Sequence, residues 1–245
     1  MIHRILVFQI LLTGQLFCQQ LQLHFDPRHA IDPTRFSRNY MTLFYQYFRA
    51  AAPDTSFIRA GSTMFQAQCD YTGANGNIGN VYVQFTQGVK FWDPDVYLDL
   101  EYSGGLGIVE PGSYGYYIAN TYSIGATTTV LWNSTVFNIA VASMHTAFVR
   151  PSHDIRATVY WWKGLFNYTA EFAGDIQFWT QNRDHGDAAT AGLEGKWVCF
   201  FGEPQIWFRV AGNFFVGSKV NIYYHILYQN DRVLVLPTIA VRYNL

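Results

Sequence analysis

Residues 160–182 read YWWKGLFNYTAEFAGDIQFWTQN. The stretch is aromatic enough for a protein core, yet it carries Glu171, Asp175, Gln177 and Gln181. Parity separates the two kinds. Phe166, Tyr168, Ala170, Phe172, Gly174, Ile176 and Phe178 fall on one side, and Asn167, Thr169, Glu171, Ala173, Asp175, Gln177, Trp179 and Gln181 on the other. A helix would scatter both sets around its circumference. A strand sends successive side chains to opposite faces and keeps them apart. The pattern predicts a strand over 165–182, of about 15 residues where about 5–6 is usual.

Half of the 245 residues are apolar and 18% are aromatic, while only 13% are charged, about half the share found in soluble domains. No apolar run of about 20 residues follows the N-terminus, which excludes helical membrane spans in the mature chain. A net charge of −1 argues against a nucleic-acid partner, which demands a basic field. The opening MIHRILVFQILLTGQLFC has the form of a secretory signal peptide: Arg4 in a short positive head, then an apolar stretch from Ile5 to Leu12. Cleavage after Cys18 would start the mature domain at Gln19, giving a leader at 1–18 and one domain at 19–245. A lipoprotein reading would make Cys18 the lipid-bearing residue, although Phe17 before it is bulky for that motif. A retained anchor is disfavoured because the stretch is short and ends in glutamines. Cys69 and Cys199 then remain, and their places on distant strands predict two free thiols.

Strand-like runs recur along the whole chain without linkers or repeats: 40–49, 57–70, 79–92, 95–106, 114–130, 133–148, 153–162, 165–182, 194–209, 213–228 and 232–245. Tight turns at Asp93-Pro94, Trp132-Asn133-Ser134, Lys163-Gly164 and Ala211-Gly212-Asn213 alternate with longer polar connections at 71–78, 107–113, 149–153, 183–193 and 229–232. Short turns at one end and longer loops at the other is the layout of an outer-membrane barrel. Its last strand runs toward a periplasmic C-terminus, so the run 40–49 must descend and something must climb before it. LQLHFD at 21–26 supplies that short first strand. The expectation is all-β: a single closed antiparallel transmembrane β-barrel of 12 strands, an even number as bacterial barrels require.

Two further signals agree. The seven Trp all lie near expected strand ends, where amphipathic rings favour the membrane–water boundary. In the final PTIAVRYNL, Ile239, Val241, Tyr243 and Leu245 share one face, as in the terminal strands read by barrel-assembly machinery. On this reading the Phe/Tyr/Ile face of 165–182 meets lipid and the acid/amide face meets water inside the barrel. A soluble sandwich would reverse the two.

The segments LFYQYFRA (43–50) and SFIRAGSTMFQAQCD (56–70) resemble the opening hairpins of the Tsx-type nucleoside channels, which are twelve-stranded outer-membrane barrels. LEYSGGLG (100–107), YGYYIAN (114–120), PSHD (151–154), YWWKG (160–164), EFAGD (171–175), FWTQNRDHGD (178–187) and GSKVNIYYH (217–225) resemble a family of outer-membrane proteins of unassigned function from anaerobic Gram-negative bacteria, a family placed in the Tsx-like group. The second resemblance covers nearly all of the mature chain. It implies a barrel fold and, by analogy with the channels, passage of nucleoside-like solutes. No nucleoside-binding residues carry over one by one.

Parity assigned strand by strand predicts the lumen lining: Tyr82, Gln84, Thr86 and Lys90; Tyr97, Asp99, Glu101 and Ser103; Arg156 and Thr158; Glu171, Asp175, Gln177 and Gln181; Glu203, Gln205 and Arg209; Lys219, Asn221, Tyr223 and His225; Arg242 and Asn244. Acids and bases nearly balance, and adjacent strands bring opposite charges together, Lys90 beside the Asp99/Glu101 strand among them. These groups either line a narrow aqueous path for a small polar solute, with Tyr82, Tyr97 and Tyr223 offering stacking faces, or form a satisfied charge network filling a closed lumen. Twelve strands give a bore between the filled eight-stranded barrels and the open sixteen-stranded porins. An outer-membrane hydrolase is a third reading. His153-Asp154 and Asp184-His185 set acid beside base, but neighbours on a strand point to opposite faces, so the expectation is no enzyme. His185 with Asp184 and Asp187 is read as a solvated loop rather than a metal site. The sequence therefore points to a porin-like channel, with membrane lipid and a small polar solute as partners, no cofactor, no metal and a monomeric state.

Overall fold

The computed structural model describes residues 17–51, 58–90, 92, 95–109, 114–226 and 231–245, with the side chains of residues 17 and 18 excepted. Residues 1–16 of the expected leader and the turn at Asp93-Pro94 lie outside the described residues, whereas the expected cleavage point after Cys18 falls inside the first strand. Within them the chain is almost entirely strand: β1 (Phe17–Asp26), β2 (Tyr40–Arg49), β3 (Arg59–Asp70), β4 (Asn80–Lys90), β5 (Tyr97–Val109), β6 (Tyr114–Trp132), β7 (Thr135–Thr146), β8 (Ser152–Leu165), β9 (Ala170–Asn182), β10 (Lys196–Gly202), β11 (Gln205–Ala211), β12 (Phe214–Tyr224) and β13 (Val233–Asn244). The sheet is antiparallel, and β1 pairs with β13 to close it. β10 and β11 each pair with both β9 and β12 at successive levels, so they are two halves of one stave. The result is a closed barrel of 12 staves. Closure pairs every strand on both sides and removes the open edges that a bilayer cannot tolerate.

The interruption is local. Glu203 and Pro204 separate the half-strands, and the ladder is maintained by Glu203 N–H donating to the Asp175 carbonyl and Val220 N–H donating to that of Pro204. Gly174 sits opposite with φ +152°, where a Cβ would stand 2.5 Å from the Glu203 carbonyl oxygen and 2.8 Å from Trp161. Only glycine allows that approach.

The hairpin between β6 and β7 turns on Asn133 and Ser134, both with positive φ, the geometry of a two-residue type I′ turn. Gly212, at φ +51°, turns β11 into β12. The turn expected at Lys163-Gly164 is displaced. β8 runs on to Leu165, and the chain reverses over Phe166, Asn167 and Tyr168, all with positive φ, closed by Thr169 N–H to the Phe166 carbonyl. Phe166 and Tyr168 therefore leave the strand face expected of them, and β9 begins at Ala170. Alternation alone could not show this, because the turn residues continue the apolar–polar rhythm.

The faces divide as parity requires. Phe172 and Phe178 are 40% and 48% exposed, and Leu21, Leu23, Ile124, Val141, Ile155, Val235 and Ile239 join them on the outer surface. Glu171, Glu101, Arg156, Lys219 and Arg242 are buried. The apolar side of the sheet faces out and the ionic side faces in, the inverse of a soluble protein. This is an outer-membrane β-barrel. The tryptophans correct one expectation. Trp132, 71% exposed, sits on the outside at the turn end, but Trp207 is fully buried in the lumen. Trp179 shares the register of buried Cys199 and of Arg156, and Trp197 stacks against Arg183 and His225. Nearness to a strand end does not fix which face a ring takes; parity does. The two thiols, Cys69 and Cys199, are unpaired.

Candidate lumenal solute path

The lumen is organised as three ionic levels. Near the turn end, Arg242 Nη2 meets Glu171 Oε2 at 2.7 Å, and its guanidinium lies over the rings of Phe215 (4.2 Å) and Trp207 (4.8 Å). β13 and β9 are not neighbours: β12 and β11 lie between them, and the pair crosses above Trp207 and Gly217. At mid-height Arg156 on β8 reaches Glu101 on β5 at 2.6 Å, with side chains 8% and 6% exposed. The strands it spans, β6 and β7, present Ser123, Gly125, Thr127, Ala140 and Ala142 inward. Those small residues leave the space in which the long guanidinium and carboxylate arms lie. Beside this level Lys219 Nζ stands 3.1 Å from Glu203 and over the Phe44 ring. Gln177 donates to Asp175, Gln205 to Glu203 and Trp207 Nε1 to Gln205, so each carboxylate is held by a neighbouring amide.

The third level is a cavity of about 130 Å³ at the loop end. Its floor is His24, whose Nε2 and Nδ1 lie within hydrogen-bond reach of Gln22 and Thr238. Asp26, Asp70, Tyr40, Tyr223 and Lys219 surround it. The connection from β1 to β2 folds inward over it: Phe36 packs on Leu234 and Leu236 of the inner wall with Tyr223 against the cluster. From the same loop Arg28 bonds Asp26 at 2.7 Å and lies over the Phe36 and Tyr40 rings.

Most of the lining residues expected from parity lie on this inward face, but Arg209 is exposed near the turn end, and His225 lies past the end of β12 at positive φ, its ring within hydrogen-bond reach of the Val198 carbonyl and Asp231. Tyr82, Gln84, Asp99 and Glu101 face Arg156 and Thr158 across β6 and β7. Glu171, Asp175 and Gln177 come from β9, Lys219 and Tyr223 from β12 and Arg242 from β13, while Glu203 enters from the break in the tenth stave. One pairing differs. Lys90 turns away from Asp99 and Glu101 and bonds Asp95 in the turn at 2.9 Å, with Tyr97 beneath it. That hydrogen bond holds the exposed Asp95 carboxyl below the usual carboxylate range. Glu101 is taken instead by Arg156, across two intervening strands, a choice that arm length and small neighbours decide.

Of the outer cavity, sequence reasoning named Lys219, Asn221 and Tyr223 but left out the residues of the first strand, although LQLHFD carried the signal: Gln22, His24 and Asp26 share one parity with Gln20 before them. His153 and Asp154 separate as strand geometry demands, whereas Asp184 and His185 lie in the loop beyond β9. His153 faces outward, its ring 4.6 Å from that of His145, while Asp154 is buried and bonds Lys196 and Thr180. His185 stacks on Phe148 at 3.9 Å and reaches Gln181. No cluster of three or more metal-ligating side chains occurs among the described residues.

A family model described as "Domain of unknown function (DUF5020)" matches residues 18–245. Comparison with curated proteins returns no match. Among solved structures the chain is similar to LpxR from Salmonella typhimurium (TM-score 0.46, 9% identity, covering 92% of this chain and 99% of that one). It is also similar to the KdgM porin in complex with disordered oligogalacturonate (0.42, 6%, 92% and 99%). A third is the beta domain of the Bordetella autotransporter BrkA (0.42, 9%, 95% and 100%). Likeness at this level leaves function to the residues themselves.

Proposed function

The chain belongs to the DUF5020 family, and we propose that its barrel is a narrow channel through which small polar solutes cross the outer membrane by diffusion. The observation that carries this reading is the lumenal face, which carries ionic or amide groups at every level beside a few buried rings and aliphatic side chains, and has a polar cavity at its loop end. An inert filler would be served as well by apolar side chains, since buried ion pairs seldom out-stabilise a packed hydrophobic core. Groups such as Glu101, Glu171, Asp175 and Gln177 would exchange their internal partners for those of a passing solute. Tyr82, Tyr97 and Tyr223 supply ring faces, which suits the nucleoside-like solutes that the Tsx resemblance implies. The leader at 1–18 would direct export, and the barrel would act as a monomer.

A second reading, a structural barrel with a filled lumen, is favoured by the burial of Arg156, Glu101 and Arg242. Planar-bilayer conductance separates the two. The wild type should give small, discrete conductance steps, and Glu101→Ala/Arg156→Ala, which removes both arms of the mid-height crossing, should raise them several-fold. Absence of conductance in both proteins, with heat-modifiable migration proving that each is folded, would overturn the channel.

A further inference from the structure

Two acids, Asp26 and Asp70, and two cations, Arg28 and Lys219, line the outer cavity, but neither cation pairs directly with Asp70. Asp26 is paired with Arg28 and Lys219 with Glu203. Asp70, 7% exposed, accepts hydrogen bonds only from the neutral Thr42 (2.6 Å) and Gln68 (3.0 and 3.2 Å) among the described residues. His24, on the floor, is satisfied by two neutral partners. Asp70 is thus left without a direct ion pair in the cavity wall. Asn80, the register partner of Asp70 across β3 and β4, lines the same cavity, and its buried Oδ1 has no hydrogen-bond partner. Two acceptors therefore stand side by side, neither with a direct cationic partner. A buried acceptor without a partner is costly, and a charged one more so, so the group that would suit this pair has a definite chemistry.

We propose that this cavity is a binding site for a small organic monocation bearing a primary ammonium group, held by Asp70 and Asn80 with its body against Tyr40 or Tyr223. The inference rests on reading the lumen as a solute path and adds a solute class to it. Size limits the ligand. At about 130 Å³ the space is close to the cavity of about 150 Å³ known to admit benzene, so the site takes a single ring or a short chain rather than a whole nucleoside. Aromatic faces add attraction for a cation once water is displaced. Arg28 already uses Tyr40 in this way, which shows that the ring face accepts positive charge.

The test is calorimetric titration of the purified full-length barrel in detergent with benzylammonium, and with benzyl alcohol and benzoate as neutral and anionic counterparts of the same shape. Benzylammonium should bind at least tenfold more tightly than benzyl alcohol, and benzoate should not bind. Asp70→Asn should remove that preference, and Asn80→Asp, which adds a second acid, should strengthen benzylammonium binding several-fold. Should Asp70→Asn fail to fold, the three-ligand comparison and Asn80→Asp decide the matter. Equal binding of benzylammonium and benzyl alcohol, or an Asp70→Asn protein that keeps the preference, would overturn the proposal. Conductance without ammonium selectivity would refute this inference and leave the channel standing; ammonium binding without conductance would do the reverse.

Discussion

Replacing Arg242 by Met probes the crossing pair nearest the turn end. Met conserves much of the volume and the contact with Trp207 and Phe215, so the change isolates charge. In the wild type the guanidinium is 5% exposed, its partner carboxylate 11%, and their separation is 2.7 Å. Losing one member leaves Glu171 enclosed without its counter-ion, at a cost of about 3–5 kcal/mol. The lost stacking of positive charge on two rings adds about 0.5–2 kcal/mol. Together these predict a loss of about 3.5–7 kcal/mol for Arg242→Met. Glu171→Gln in the same chain removes the stranded charge, and the double variant should recover at least about 2 kcal/mol relative to the sum of the singles. Reversible urea unfolding in phospholipid vesicles, followed by Trp fluorescence, measures all three differences, with Trp207 as a reporter beside the site. An Arg242→Met barrel within about 0.5 kcal/mol of wild type, or a strictly additive double variant, would show that the lumen is wet enough to solvate Glu171 and would refute the account of a dry ionic crossing.

Two more predictions address the outer face and the loops. Val141, 53% exposed on β7 and paired in register with Ala126 and Ala157, should meet lipid near mid-height; Val141→Arg should cost about 2–4 kcal/mol in vesicles, and a cost below about 1 kcal/mol would place it elsewhere. In the 183–195 loop, Asp187 accepts hydrogen bonds from the Thr190 hydroxyl and N–H, which hold its carboxyl below the usual range. The folded value is depressed, so the loop's order is present above the ordinary Asp value of about 3.9 and is lost as pH falls through the lower folded value. Amide exchange at Thr190 should stay slow at pH 5 and accelerate near pH 3; a rate that follows only intrinsic chemistry would contradict this.

Much of the architecture was legible because side-chain parity is a strict geometric consequence of strand backbone. Glu171, Asp175 and Gln177 could not share a face with Phe172 and Phe178, and closing a sheet with such faces leaves one arrangement compatible with a bilayer. What parity could not supply was reach. Glu101 and Arg156 lie 55 positions apart in the chain on strands that do not touch, and only the small side chains of β6 and β7 between them permit the contact. The same holds for Phe36, whose entry into the barrel mouth depends on Leu234 and Leu236 facing inward at the opposite end of the chain. The Phe166–Thr169 turn escaped because backbone handedness at Phe166 and Tyr168 leaves no mark on a hydropathy pattern. Lys90 shows the reverse error: adjacency of strands suggested Asp99 and Glu101, but a flexible arm at a strand end takes the nearer acid in the turn.

The crossings above Gly217 and over Ala142 also bear on how the cylinder comes to close in one alignment. Sliding one stave past its neighbour by a single position would invert its faces and be rejected by the lipid at once. Sliding by two positions preserves every greasy contact, and hydrophobicity cannot tell it from the correct alignment. Such an offset moves each side chain by about 7 Å, enough to part Arg242 from Glu171 or Arg156 from Glu101 and strand all four ions. The tie-rods across the interior thus act as a vernier, detecting the errors to which the oily exterior is blind.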